Sequence, residues 1–187
     1  MIATHPLLPK LKQLKLSGML NTLELRAEQA AQEQLSPLDF FALLLDDELE
    51  RREQNRMTYR LAISGCNPAK TLSLFDFTAA SGVSRSFITD LATCAFIQRH
   101  ENVFFCGPTG LGKTHLANAL GIEALKRNFR VISKPTFRLL SDLNASRATG
   151  SYNRQMASVL HCDLLILDDF GLQALSPVAV QDLYEII

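Results

Sequence analysis

The chain has 187 residues, nearly half of them apolar, which suits one full domain or a small domain plus part of another. Nineteen Lys and Arg balance nineteen Asp and Glu, so the zero net charge gives no global pointer to nucleic acid or membrane. Without an apolar run of about 18 residues or a continuous apolar leader core, neither a membrane span nor a signal peptide is expected.

Local charge is less even than the total. Residues 1–18 carry Lys10, Lys12 and Lys15 and no acid. Residues 19–50 hold eight acids against one arginine, a net of −7. Residues 51–60 return a net of +3, and residues 126–154 a net of +6, with Asp142 as their one acid.

Residues 1–65 read as all helix. Leu7, Leu11 and Leu14 repeat at helical spacing, Gly18 interrupts, and Met19, Leu20, Leu23, Ala27 and Ala30 continue on one face. Ser36 can cap the next helix, Pro37 suits its first turn, and Asp39 completes a short capping box. Leu38, Phe41, Leu45 and Leu49 then form an apolar stripe. "GCNP" at 65–68 ends the block, so two domains are expected, 1–69 and 70–187.

"KTLSLFDF" follows, then "AASGVS", read as a loop. Ser84 starts a helix pattern with Phe87, Ile88, Leu91, Ala95 and Ile97 facing inward. From "NVFFC" onward strands and helices alternate. "NVFFC", "RVISK" and "DLLILDD" read as strands. "KTHLANALGIEALKRN", "TFRLLSDLNASRA" and "YNRQMASVLHC" read as helices between and beside them. Such alternation argues an α/β fold with a parallel sheet. Cys66, Cys94, Cys106 and Cys162 are scattered and none has a histidine at ligand spacing. No zinc site is therefore expected, and a reducing, cytoplasmic setting is.

"GPTGLGKT" at 107–114 matches the phosphate-loop pattern G-x-x-x-x-G-K-[ST]. Gly107, Gly110 and Gly112 let the backbone curl, with Pro108, Thr109 and Leu111 between them, so that successive N–H groups aim at phosphate oxygens. The helix opening with Lys113, Thr114 and His115 adds its positive end. Lys113 is the candidate cation for the β- and γ-phosphates of ATP, and Thr114 offers a hydroxyl to Mg²⁺. About 55 residues after the loop lysine, "LLILDD" ends in Asp168 and Asp169. Asp168 is the second candidate Mg²⁺ group, and Asp169 is placed to orient or deprotonate the attacking water. His161 and Cys162 flank that strand and receive no catalytic role.

With these motifs in place the chain resembles the IstB family of transposition helper ATPases, relatives of the DnaC helicase loader within the AAA+ class. "LKLSGMLNTLELRAEQA", "LLLDDELERREQNR", "KTLSLFDF", "LATCAFIQRHENVFFCGPTGLGKTHLANALG" and "LLILDDFG" carry the resemblance over nearly the whole chain. It implies a P-loop NTPase domain of AAA+ type behind a small helical domain. It also implies ATP binding, assembly on DNA and help to a partner transposase. It places Phe75 and Phe77 near the adenine, the alternative being a core-facing aromatic pair. It turns the basic stretch toward DNA, where Lys134, Arg138, Arg147 and Arg154 could meet phosphates without sequence specificity, the alternative being a solvated helical face.

The AAA+ pattern also expects a fourth strand with a polar sensor, a fifth strand, an arginine finger and usually a lid, whereas 18 residues follow Asp169. In that pattern the fourth strand lies between the two motif-bearing strands and the fifth beyond the first, so "NVFFC" is expected to lack its ordinary neighbours. The expectation for this chain is nucleotide binding with poor turnover. Two other readings stay open at this stage: a helicase loader, and a non-catalytic fragment whose helices 1–65 could still dimerise or bind a transposase; self-assembly into an oligomer is among the expected partners.

Overall fold

The computed structural model describes residues 6–78 and 83–187. Most of the loop expected at "AASGVS" lies outside the described residues. The chain separates into two units, residues 1–59 and 60–187, which divide within one long helix. The expected boundary lay near residue 70.

The first unit holds α1 (Leu7–Gln13), α2 (Ser17–Glu33) and most of α3 (Pro37–Ser64). The start of α3 follows its sequence signal. The Asp39 N–H donates to Ser36 Oγ at 3.2 Å, and the Ser36 hydroxyl donates back to Asp39 Oδ2 at 2.7 Å. Met19, Leu23 and Leu44 form the core, with Leu8, Leu11, Leu16 and Phe40 packed around it. The interruption expected at Gly18 falls at residues 14–16, between α1 and α2, and not at Gly18 itself. Gly18 sits in the first turn of α2 and is buried against α3, where a Cβ would lie 2.5 Å from the Asp47 carbonyl oxygen. Glycine is needed there for close approach of two backbones.

Two polar ties close the same contact. The Gly18 N–H donates to Glu48 Oε2 at 2.7 Å, and Arg26 makes a two-pronged bond to Asp47 at 2.7 and 2.8 Å. The Arg26 bond holds the Asp47 carboxyl below its ordinary value. Burial pushes Glu48 up, but Arg52 and the backbone N–H groups of Gly18 and Met19 outweigh it and leave that carboxyl lowered too. A carboxylate with a depressed folded pKa stabilises above its unfolded pKa, and that contribution is lost as pH falls through the folded value. The thermal midpoint of the chain should therefore drop on acidification below about pH 4. Asp47→Asn should start lower at neutral pH and show a shallower dependence. A pH series of melts followed by far-UV circular dichroism checks this, and equal slopes would refute it.

The second unit contains the expected α/β arrangement. After a short 3₁₀ turn (Leu72–Leu74) come α4 (Arg85–Leu91), α5 (Ala95–Gln98), α6 (Lys113–Lys126), β1 (Val131–Pro135), α7 (Thr136–Ala148), α8 (Tyr152–Leu160), β2 (Leu164–Asp168) and α9 (Pro177–Ile186). Strands β1 and β2 pair in parallel, from Val131 opposite Leu164 to Pro135 opposite Asp168. Strand alternation sorts the two faces. Val131 and Ile166 meet α6 at Gly121, where there is no room for a Cβ. Ile132, Leu165 and Leu167 meet the core of Leu139 and Leu143 from α7 and Met156 and Val159 from α8.

Two expectations need correction. "NVFFC" is neither strand nor buried: residues 102–106 make no ladder, and Phe104 is 78% exposed. A strand persists only where its N–H and C=O groups find partners, and β2 pairs with β1 alone among the described residues. The two motif-bearing segments thus do not pair with each other. Phe87 is exposed, while Ile88, Leu91 and Ile97 turn inward; successive helical side chains point about 100° apart, and the inward line of α4 runs through Ile88 and Leu91. No helix among the described residues is long and apolar enough to cross a membrane.

Candidate functional site

The phosphate loop runs from Gly107 to Gly112 and feeds directly into α6. Gly110 and Gly112 have φ of 87° and 76°, left-handed values that favour glycine. Gly110 faces open space, and a Cβ there would meet nothing within 4 Å. Lys113 Nζ folds back and donates to the Pro108 carbonyl at 2.7 Å. The loop is thus closed on itself by the lysine that would face the phosphates.

Strand β2 brings the second motif to this loop. The Thr114 hydroxyl donates to Asp168 Oδ1 at 3.1 Å, across 54 residues of sequence. Asp168 is held from two further sides. Its carbonyl accepts from the Thr136 hydroxyl at 2.9 Å, and its carboxylate accepts from the Asp169 N–H at 3.0 Å. Asp169 itself is exposed and adopts a left-handed φ of 54°. A hydroxyl and a carboxylate at this spacing are a hard oxygen pair of the type Mg²⁺ takes.

Residues 67–77 form a wall beside the loop. The Phe75 ring lies against Gly112, where a Cβ would come within 2.6 Å of Cε2. Phe75 stands edge-on to Phe77 at 4.9 Å and to the His115 ring at 5.4 Å. His115 Nε2 donates to the Thr71 carbonyl at 2.8 Å. Sequence reasoning passed over Asn118, which is buried one turn further along α6. Its Oδ1 accepts from the Asn67 N–H at 2.7 Å, and its Nδ2 donates to the carbonyls of Asn67 and Lys70, both at 2.9 Å. The available signal was a polar residue at a position where α6 is otherwise apolar and buried. Thr136 was missed as well, and carried no comparable signal.

The basic residues are distributed differently. Lys134 and Arg138 share Asp142, at 3.1 and 3.9 Å. Arg147 is bonded to buried Asp182 of α9 and lies 3.8 Å over the Tyr152 ring. Tyr152 donates to the same carboxylate oxygen at 2.7 Å. Arg154 stands exposed on α8. Lys134 also lines an open cleft of about 800 Å³ together with Arg130 and His161.

The family model described as IstB-like ATP binding protein matches residues 9–187. The chain belongs to the IstB-like ATP-binding protein family. Among curated IstB-like relatives, the insertion sequence IS21 ATP-binding protein of Pseudomonas aeruginosa is 37% identical over 167 residues, covering 89% of this chain and 63% of the relative. An insertion-sequence ATP-binding protein of Mycobacterium tuberculosis is 37% identical over 177 residues, covering 95% of this chain and 70% of the relative. The insertion sequence IS1162 ATP-binding protein of Pseudomonas fluorescens is 36% identical over 186 residues, covering 98% and 80%. The chain therefore spans less than two thirds of the first of these IstB-like proteins and more of the other two.

Proposed function

We propose that this chain binds ATP with Mg²⁺ at the loop 107–114 and serves as the ATP-dependent helper of a transposase in moving an insertion sequence. The observation that carries the reading is the bond between Thr114 and Asp168, which joins the phosphate loop to the carboxylate at the end of β2. The relatives named above, each described as an insertion-sequence ATP-binding protein, supply the biological setting.

In this reading the N–H groups of residues 107–112 and the N-terminal end of α6 hold the phosphate oxygens. Lys113 leaves the Pro108 carbonyl and neutralises the β- and γ-phosphates. Thr114 and Asp168 hold Mg²⁺, which when bound offsets charge on the phosphates. Phe75, packed on Gly112, forms the wall nearest the base, with Phe77 behind it and His115 and Asn118 fixing its backbone. Asp169 orients the water for release of phosphate. Lys134, Arg138 and Arg154 give affinity for DNA phosphates without reading bases, while Arg147 works chiefly in holding α7, α8 and α9 together through Asp182.

The test is the Mg²⁺ dependence of binding of a fluorescent ATP analogue to the purified chain. Wild type should bind more tightly with Mg²⁺ than with a chelator present. Asp168→Asn should bind equally in both, at about the chelator affinity of wild type. A wild type indifferent to Mg²⁺, or an Asp168→Asn variant that keeps the full response, would refute the assignment.

A further inference from the structure

The phosphate loop has a support that comes from outside it. A Cβ on Gly107 would meet only Leu111 of the loop itself, at 3.8 Å, and one on Gly110 would meet nothing within 4 Å. Gly112 differs. A Cβ there would lie 2.6, 3.3 and 3.6 Å from Cε2, Cζ and Cδ2 of Phe75. The far edge of that ring therefore fills the place a side chain would take.

Gly112 is the joint between loop and helix. Its φ is 76°, and its carbonyl accepts the first bond of α6, from the Leu116 N–H at 2.9 Å. Glycine loses more freedom on being fixed than any other residue. A ring packed on it removes part of that freedom before a ligand arrives, which lowers the cost of binding.

The ring is itself held. It stands edge-on to Phe77 at 4.9 Å and to His115 at 5.4 Å. Its segment is tied to α6 through His115 and Asn118. Phe77 is engaged in turn by the Arg85 guanidinium, 5.5 Å from its ring centre. Both rings thus have partners within the protein, and two of those around Phe75, Gly112 and His115, belong to the loop and its helix.

We propose that Phe75 is a positioning residue for the phosphate chain. It backs Gly112 and so sets the joint where the loop N–H groups and the positive end of α6 converge. Its effect on affinity passes through the loop and not through stacking on a base. A triphosphate that carries no base therefore feels Phe75 as strongly as ATP does. The inference rests on the reading that the nucleotide binds at residues 107–114.

The experiment is isothermal titration calorimetry of the whole chain with ATP and, separately, with inorganic triphosphate, at one Mg²⁺ concentration. Melts followed by circular dichroism are the fold control. Phe75→Ala should weaken both ligands by the same factor, roughly 5- to 30-fold, the factor that ordering one residue's backbone carries. Phe75→Met is the second variant. Its unbranched side chain reaches the far edge of the lost ring but offers no aromatic face. It should bring both affinities back to near wild type, with melting unchanged. Should Phe75→Ala fail to fold, the comparison of Phe75→Met with wild type decides alone. A variant that loses ATP but keeps triphosphate would overturn the proposal, because the ring would then serve the base. A Phe75→Met variant as weak as Phe75→Ala toward both ligands would overturn it too, and so would a wild type that binds ATP and no triphosphate. A wild type that binds neither would remove the reading of residues 107–114, and the proposal with it.

Discussion

Lys113→Ala should weaken binding of a fluorescent ATP analogue by roughly 10- to 150-fold, the range expected from losing a charged hydrogen bond worth about 1.5–3 kcal/mol. The argument rests on what Lys113 does in the free loop. Its Nζ is bonded to the Pro108 carbonyl within the same turn, so removing it takes away a cation without leaving a buried charge unpaired. The fold should survive, with melting little changed. Equilibrium titration of the two proteins at one Mg²⁺ concentration reads the effect directly. Equal affinities would mean that the nucleotide is held elsewhere, and the functional reading would fall with them.

Gly18→Ala should have the largest effect on stability. In an exposed helical turn this exchange gains up to about 1 kcal/mol. Here the added methyl would sit 2.5 Å from the Asp47 carbonyl oxygen and 2.6 Å from the Glu48 Cα. Both are backbone atoms, so the helices themselves must part. Overpacking of this kind costs about 1–3 kcal/mol. Separation also draws the Gly18 N–H away from the Glu48 carboxylate, now at 2.7 Å, and an unsatisfied buried group costs about 1–3 kcal/mol more. A three-helix unit of this size has little to spare. Chemical denaturation of wild type and variant should show a clear loss for Gly18→Ala. Binding of the ATP analogue should persist, since the phosphate loop belongs to the other unit. An unchanged or stabilised protein would show that α2 and α3 do not approach as closely as the structure has them.

The parts of this protein legible in the sequence are those governed by short-range rules. The capping signal at Ser36, Pro37 and Asp39 gave the start of α3 to the residue. The glycine spacing pointed to the turn at 107–112 that opens α6, and the apolar run before Asp168 pointed to β2. The apolar stripe on α3 was also visible, but periodicity alone does not say which of two faces is buried. That choice falls to Gly18, whose missing side chain lets α2 dock on the Leu44 side. "NVFFC" failed for a related reason. Its composition is that of a buried strand, yet a strand is a property of a pair, and composition does not name the partner. Asn118 was overlooked because its three bonds reach back to residues about 50 positions earlier in the chain.

Those three bonds bear on how the site can adapt. Asn118 and His115 fasten the segment carrying Phe75 to the same helix that begins with Lys113 and Thr114. The segment carrying Phe75 and the start of α6 are therefore fastened together as one piece. The compliant part is the stretch from Gly107 to Gly112, whose backbone has the freedom of three glycines. In the proposed reading, adaptation to a nucleotide then falls to one side of the site: the Phe75 segment keeps its place on α6, and the glycine loop does the adjusting.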